Sequence, residues 1–147
     1  MTKKKEVLLD GTGKKILLAL QQNARIPYKE LAEKVNMSTS SVIERVRKME
    51  EAGIILGYRA EINYLKAGYH LEALVHIQRE QNYGAIPPEF DDMEEIIQYW
   101  ELTGAQDFLL HVAARDTMHL DKILNKLGKH GRSTTSLILS VKKRSYQ

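Results

Sequence analysis

Leu31-Ala32-Glu33-Lys34-Val35-Asn36-Met37-Ser38-Thr39-Ser40-Ser41-Val42-Ile43-Glu44-Arg45-Val46-Arg47-Lys48-Met49-Glu50-Glu51-Ala52-Gly53 decides the fold of the N-terminal half. Apolar residues keep helical spacing in two runs, Leu31, Ala32 and Val35, then Val42, Val46 and Met49. Asn36-Met37-Ser38 breaks the pattern. Asparagine tolerates a left-handed backbone, so Asn36 ends the first run sharply. Ser38 is a good N-cap for a helix from Thr39 to about Ala52, and Gly53 closes it. Two helices joined by a three-residue turn predict a helix-turn-helix.

Upstream, Ile16, Leu17 and Leu20 place a first helix over about Thr12–Gln22, with Thr12 as its expected N-cap. Arg25-Ile26-Pro27 is a short loop, and Pro27 suits the start of a second helix over Tyr28–Val35. Gly11-Thr12-Gly13-Lys14 looks like part of a phosphate loop. That motif needs glycine where Leu8 stands and Ser or Thr where Lys15 stands, so this is a helix start. Downstream, residues 54–62 read as two strand-like pieces around Gly57, suited to a small wing or connecting strand.

The third helix presents Ser40, Ser41, Glu44 and Lys48 opposite its apolar stripe, with Arg45 and Arg47 at the flanks. Small hydroxyls at the first turn (Ser38, Thr39, Ser40, Ser41) let a helix approach DNA closely, and arginines reach phosphates or guanine edges. Free amides at the helix N-terminus suit a phosphate. Tyr28, at the start of helix two, joins this candidate set. Glu44 either accepts from a cytosine amino group or pairs with Arg47 or Lys48.

After Gly68 the hydrophobic period becomes two: Leu71, Ala73, Val75 and Ile77 alternate with polar residues. Asn63–Gly68 reads as a hinge between an N-terminal unit (1–62) and a C-terminal unit (69–147). In the second unit the expected elements are a strand over 68–79, a short helix over Glu89–Met93 opened by Pro87-Pro88, and a strand over Ile97–Thr103. A turn at Gly104-Ala105-Gln106 leads to a strand over Asp107–Arg115. Thr117 then caps a helix to Leu127, and a last strand spans Thr135–Lys143. The order βαββαβ predicts an α+β, ferredoxin-like arrangement with both helices on one face of an antiparallel sheet. Phe108, Leu109, Leu110, Val112, Ala113 and Ala114 make the third strand apolar on both faces. A second copy of the sheet is the simplest cover for the face without helices, so a homodimer is expected.

Composition fits this division. The 147 residues hold 22 Lys+Arg, 19 Asp+Glu and no cysteine, which removes disulfides, thiolate zinc sites and cysteine nucleophiles. No apolar run has membrane-spanning length. Lys3-Lys4-Lys5 is followed by too few apolar residues for an export signal, so a cytoplasmic location is expected. Residues 1–66 carry 13 basic and 8 acidic side chains and residues 67–147 carry 9 and 11, so a polyanion partner is expected on the first unit only.

Leu9-Asp10, Leu31-Ala32-Glu33-Lys34-Val35, Ser38, Arg45-Val46, Gly53-Ile54-Ile55, Gly57-Tyr58, Ala67-Gly68 and Thr103-Gly104-Ala105-Gln106-Asp107 occur in order along nearly the whole chain. Together they resemble the leucine-responsive/asparagine regulator (Lrp/AsnC, feast/famine) family. The resemblance implies a winged helix-turn-helix that binds double-stranded DNA, joined to a ferredoxin-like domain that assembles dimers, often into octamers, and binds a small effector, commonly an amino acid. It implies neither cofactor nor metal. It assigns Ser38, Thr39, Ser40, Ser41, Arg45 and Arg47 to the reading helix. Thr103, Gly104, Gln106 and Asp107 fall in the turn lining the effector cleft, with Ser133 and Thr135 at the opposite wall.

Four positions depart from the family pattern. Gly13 and Glu44 stand where relatives often carry an acidic and a basic residue respectively, Gln106 replaces an aromatic or acidic residue, and Asn82–Pro88 replaces the first turns of a helix. Two other functions compete. One is an architectural protein that wraps DNA with little sequence choice. The other is an enzyme, since some relatives of this fold pair decarboxylate haem precursors. His70, His76, His111, His119 and His130 are its candidates, but His70 and His76 are roughly 20 Å apart on one strand, and only His76 and His111 are expected as neighbours. A non-enzymatic regulator is the expected function.

Overall fold

The computed structural model describes residues 8–79 and 84–141. They fall into two compact units that divide between Glu61 and Ile62.

In the first unit, α1 (Gly11–Gln22), α2 (Tyr28–Val35) and α3 (Thr39–Glu51) enclose one core. Leu8, Ile16, Ala19, Ile26, Leu31, Ala32, Val35, Val42, Val46 and Met49 are buried together. Asn36 ends α2 at φ 53°, and Ser38 caps α3 by accepting from the Ser41 amide. The expected cap of α1 is corrected. Asp10, not Thr12, has the extended backbone of an N-cap, and its Oδ1 accepts from the Gly13 amide at 2.7 Å. Gly13 is needed here for close approach, because a Cβ would lie 1.8 Å from the Leu8 carbonyl oxygen. The expected wing strand is also corrected: among the described residues, 54–62 form no strand. The amides of Ile54 and Ile55 both donate to the Met49 carbonyl, closing α3. Beyond them Leu56 is 93% exposed, and among the described residues no strand pairs with this stretch.

The second unit has β1 (Leu71–Gln78), α4 (Glu89–Asp92), β2 (Ile96–Glu101), β3 (Phe108–Ala114), α5 (Thr117–Leu127), a 3-10 turn (Gly128–His130) and β4 (Arg132–Leu137). The sheet order is β2-β3-β1-β4 and every neighbouring pair is antiparallel. This is the ferredoxin-like order. Alternation sends Ala73, Val75 and Ile77 of β1 and Phe108, Leu110, Val112 and Ala114 of β3 to one face, where they pack with Leu120, Ile123 and Leu127 of α5. The helix α4 is one turn long, yet it buries Phe90 edge-on against Tyr99, Phe108 and His130.

Several expected boundaries move. The residues read as a hinge form a hydrogen-bonded turn, with the Ala67 amide on the Asn63 carbonyl and the Tyr69 amide on the Tyr64 carbonyl. Asp116, not Thr117, caps α5 by accepting from the His119 amide at 2.7 Å. The last strand starts at Arg132, three residues before the expected Thr135. Its register opposite Gln78 is fixed at Gly131, where a Cβ would sit 2.3 Å from the Gln78 carbonyl oxygen and φ is 149°. The strand also ends at Leu137, opposite Ala73, short of the expected Lys143, and beyond it Leu139 is 94% exposed. Lys142 and Lys143 of the expected strand, and Asn82 and Tyr83 of the altered helix, lie outside the described residues.

The open face of the sheet is mixed, which refines the expectation for β3. Leu109 and Ala113 point there with Leu74 of β1, but so does His111, whose Nε2 lies 2.8 Å from Glu72 Oε2.

Candidate DNA-reading helix and ligand-site residues

The first turn of α3 is a hydroxyl cluster. Ser38 Oγ accepts from the Ser41 amide at 3.2 Å and lies 2.6 Å from Ser41 Oγ and 3.2 Å from Ser40 Oγ. Thr39 is exposed beside them, and Tyr28 is exposed at the first turn of α2. The cap therefore fixes the serines at the end of the helix that would meet a phosphate.

The two arginines have different settings. Arg45 turns back across the unit to Asp10, the residue that caps α1, and its side chain is only 18% exposed. The Gly13 amide, and then Arg45, hold the Asp10 carboxyl below its ordinary range. Arg45 thus joins the first turn of α1 to the reading helix, a role its place in the sequence did not suggest. Arg47 stays on the solvent face, where its Nε and Nη2 fork onto Glu44 at 3.1 and 2.9 Å and its Nη1 reaches Glu51. Lys48 Nζ lies 3.2 Å from the same Glu44 carboxylate. Hydrogen bonds from Arg47, then Lys48, hold Glu44 down at about 2. Of the two expected roles for Glu44, pairing with its helix neighbours is the one formed here.

Ile43 was missed in the sequence. It is 43% exposed on α3, an apolar residue outside the Val42 stripe and one turn before Arg47. An apolar side chain on a reading surface is suited to a thymine methyl group. Its offset from the core stripe was the available signal.

In the second unit, the turn carrying Thr103, Gly104, Gln106 and Asp107 joins β2 to β3, with Gly104 at φ 110°. Asp107 anchors it: its amide donates to the Ile77 carbonyl at 2.9 Å, its carbonyl accepts from Leu102, and its Oδ2 accepts from the Arg79 amide at 2.7 Å. Ser133 stands opposite Ile77, which in turn stands opposite Phe108, so Ser133 and the turn share one end of the sheet. They are two strand spacings apart, roughly 10 Å. Thr135 stands opposite Val75, two residues further along the sheet. Arg79 was also missed. Its guanidinium lies 4.3 Å from the Phe108 ring centre and donates to the Gly84 carbonyl at 2.9 Å, putting a cation at this end of the sheet.

The histidines are dispersed. His76 and His111 lie two registers apart on β1 and β3, opposite Leu109 and Leu74 respectively, His119 Nε2 lies 3.1 Å from Glu95 Oε1, and His130 packs on Phe90. Among the described residues, no three His, Asp or Glu side chains gather as a metal-holding group. No helix among them is long and apolar enough to cross a membrane.

A capped helix-turn-helix with an exposed polar reading face, followed by a ferredoxin-like unit, defines a DNA-binding regulator with a ligand-binding domain. Comparison with known proteins agrees. Residues 9–55 match the winged helix-turn-helix DNA-binding family, and residues 72–147 match the Lrp/AsnC ligand binding domain. The chain belongs to the Lrp/AsnC family of transcriptional regulators. It is 39% identical over 114 residues to the leucine-responsive regulatory protein of Rhizobium meliloti, covering 75% of this chain and 73% of that protein. Among solved structures it is similar to B. subtilis LrpC, with TM-score 0.85 and 25% identity over 93% of this chain and 99% of that one. It is also similar to a feast or famine regulatory protein from M. tuberculosis complexed with L-methionine, with TM-score 0.83 and 26% identity over 95% and 97% of the two chains.

Proposed function

We propose that this regulator reads a specific DNA sequence with α3 and changes its DNA affinity or assembly when an amino acid binds the second unit. It acts by binding, not catalysis, as a cytoplasmic homodimer formed through the open sheet face and able to build larger assemblies. Ser38, Thr39, Ser40 and Ser41 meet the backbone at the helix start, Glu44, Arg47, Lys48 and Ile43 face the groove, and Tyr28 contacts the flank. Arg45 holds α3 against the α1 cap and reaches DNA only through that placement. Thr103, Gly104 and Gln106 line the effector site with Ser133 and Thr135, and Asp107 positions the turn.

The observation that carries this reading is the exposed face of α3, where hydroxyls lead and Arg47 and Lys48 follow on a helix whose opposite side is fully buried. Charge on that helix favours a reader over an architectural wrapper. Three basic residues (Arg45, Arg47, Lys48) face three acidic ones (Glu44, Glu50, Glu51), whereas non-specific wrapping relies on a surplus of cations. For the effector, the support is the turn at the end of the sheet and the likeness to a relative solved with L-methionine.

Binding to its own upstream region should exceed binding to random duplex at every salt concentration; equal affinities throughout would remove the specific reading. A thermal-shift screen with the twenty amino acids should raise the melting temperature with at least one, increasingly with concentration. A flat response to all twenty would remove the amino-acid effector.

A further inference from the structure

We propose that Glu44 is a specificity-determining residue of the reading helix: it holds Arg47 and Lys48 on its own carboxylate and so withholds two cations from random DNA. The inference rests on α3 being the reading helix. Both Glu44 oxygens are engaged, Oε2 by Arg47 Nε and Oε1 by Arg47 Nη2 at 2.9 Å and Lys48 Nζ at 3.2 Å. Glu51 takes the remaining Arg47 arm, Nη1. The four side chains lie at positions 44, 47, 48 and 51, spaced three or four apart, so they form one patch on the exposed side.

Non-specific affinity comes almost wholly from cations that neutralise phosphates and release counterions. To contribute, Arg47 and Lys48 must leave Glu44, which then faces the phosphates as an unpaired anion. A random duplex returns only the phosphate contacts for that exchange. A correct site also returns base-edge hydrogen bonds, made only when α3 seats fully in the major groove. The acid therefore weakens random binding more than specific binding. In the free protein, hydrogen bonds from Arg47 and then Lys48 hold its carboxyl down at about 2, so the acid that pairs them is ionised.

Glu50 supplies the control. It lies on the same helix and carries the same charge, but it accepts from the Tyr58 hydroxyl at 2.8 Å, away from the cluster.

The test measures full-chain binding to a random-sequence duplex across a salt series, by fluorescence anisotropy. Glu44→Gln should bind about 3- to 10-fold tighter at low salt, and the slope of log K against log salt should steepen by about 1 to 2, since each added phosphate contact contributes roughly 0.9. Glu50→Gln should move the slope much less. Adding Arg47→Ala and Lys48→Ala to Glu44→Gln should abolish the gain. The affinity ratio between a duplex selected from a random pool and the unselected pool should fall in Glu44→Gln. Unchanged affinity and slope in Glu44→Gln, or an equal change in Glu50→Gln, overturns the proposal while leaving α3 as the reader. If Arg47→Ala with Lys48→Ala in the otherwise native chain leaves binding to the selected duplex untouched, the reading-helix assignment fails and this proposal fails with it. Unchanged melting temperatures in the Gln variants would separate these effects from loss of fold.

Discussion

At the scale of single residues, the contact at Gly131 leaves no room for a side chain. Gly131 has φ 149° and faces the Gln78 carbonyl where a Cβ would be 2.3 Å away. Alanine there adds backbone strain and a clash with main chain that belongs to the central strand. Gly131→Ala is expected to cost roughly 2–4 kcal/mol, read from denaturant unfolding of the full chain. His130 gives a pH signature. Its ring packs edge-on to Phe90 at 5.4 Å, and its Nε2 is buried with no hydrogen-bond partner among the described residues. Burial pushes its pKa below the ordinary 6.5, with Lys129 and Arg79 adding to the shift and Glu89 opposing it. As pH falls, the unfolded chain takes up this proton before the folded one. The stabilisation is therefore full above the ordinary histidine pKa and is lost as pH falls from there through the lowered value. His130→Phe keeps the aromatic edge and removes the titration. Its melting temperature should fall less than that of the native chain between pH 7 and pH 5, and parallel curves would refute the assignment.

At the scale of elements, the placement of α3 depends on a residue far from it in sequence. Asp10 caps α1 through the Gly13 amide and also receives Arg45 from α3. Asp10→Ala is expected to lower both the melting temperature and the DNA affinity, with little change in salt slope, because no phosphate contact is removed. A variant that loses stability but binds DNA as before would detach Arg45 from the placement of α3. Local signals were legible in the sequence: Asn36 and Ser38 marked the helix-turn-helix, and positions 44, 47, 48 and 51 are close enough for their ion pairs to be anticipated. Asp10 and Arg45 are 35 residues apart, and neither helix's own pattern predicts that they meet. The start of β4 was hidden for a similar reason. Leu137, Leu139 and Val141 alternate well, but the pairing is set by β1, whose register places Arg132 opposite Gln78 and Leu137 opposite Ala73. The candidate site divides the same way. The reading face follows from helical spacing, whereas the anchoring of Asp107 on Ile77 and Arg79 comes from strands distant in sequence.

At the scale of the whole molecule, the open face of the sheet is the proposed contact between two copies of the regulator. Leu74 and Leu109 stand half-buried at its centre, Trp100 is exposed at its β2 side, and the Glu72–His111 pair lies among them. A stable interface needs at least about 1,000 Å² of buried surface, and the face of a four-stranded sheet stacked on its own copy is of that order. In the proposed homodimer two copies would offer two reading helices to one duplex, and the second contact would be made at high effective concentration. Leu109→Lys places a charge at the centre of that face and leaves the helix-packed side unaltered. Sedimentation should change from dimer to monomer, with secondary structure retained by circular dichroism. Affinity for a selected duplex should drop about 100-fold or more, because the second contact is lost and not because α3 has changed. Met118→Lys, on the exposed side of α5, carries the same charge and should do neither. A Leu109→Lys variant that remains dimeric would place the contact between copies on another surface.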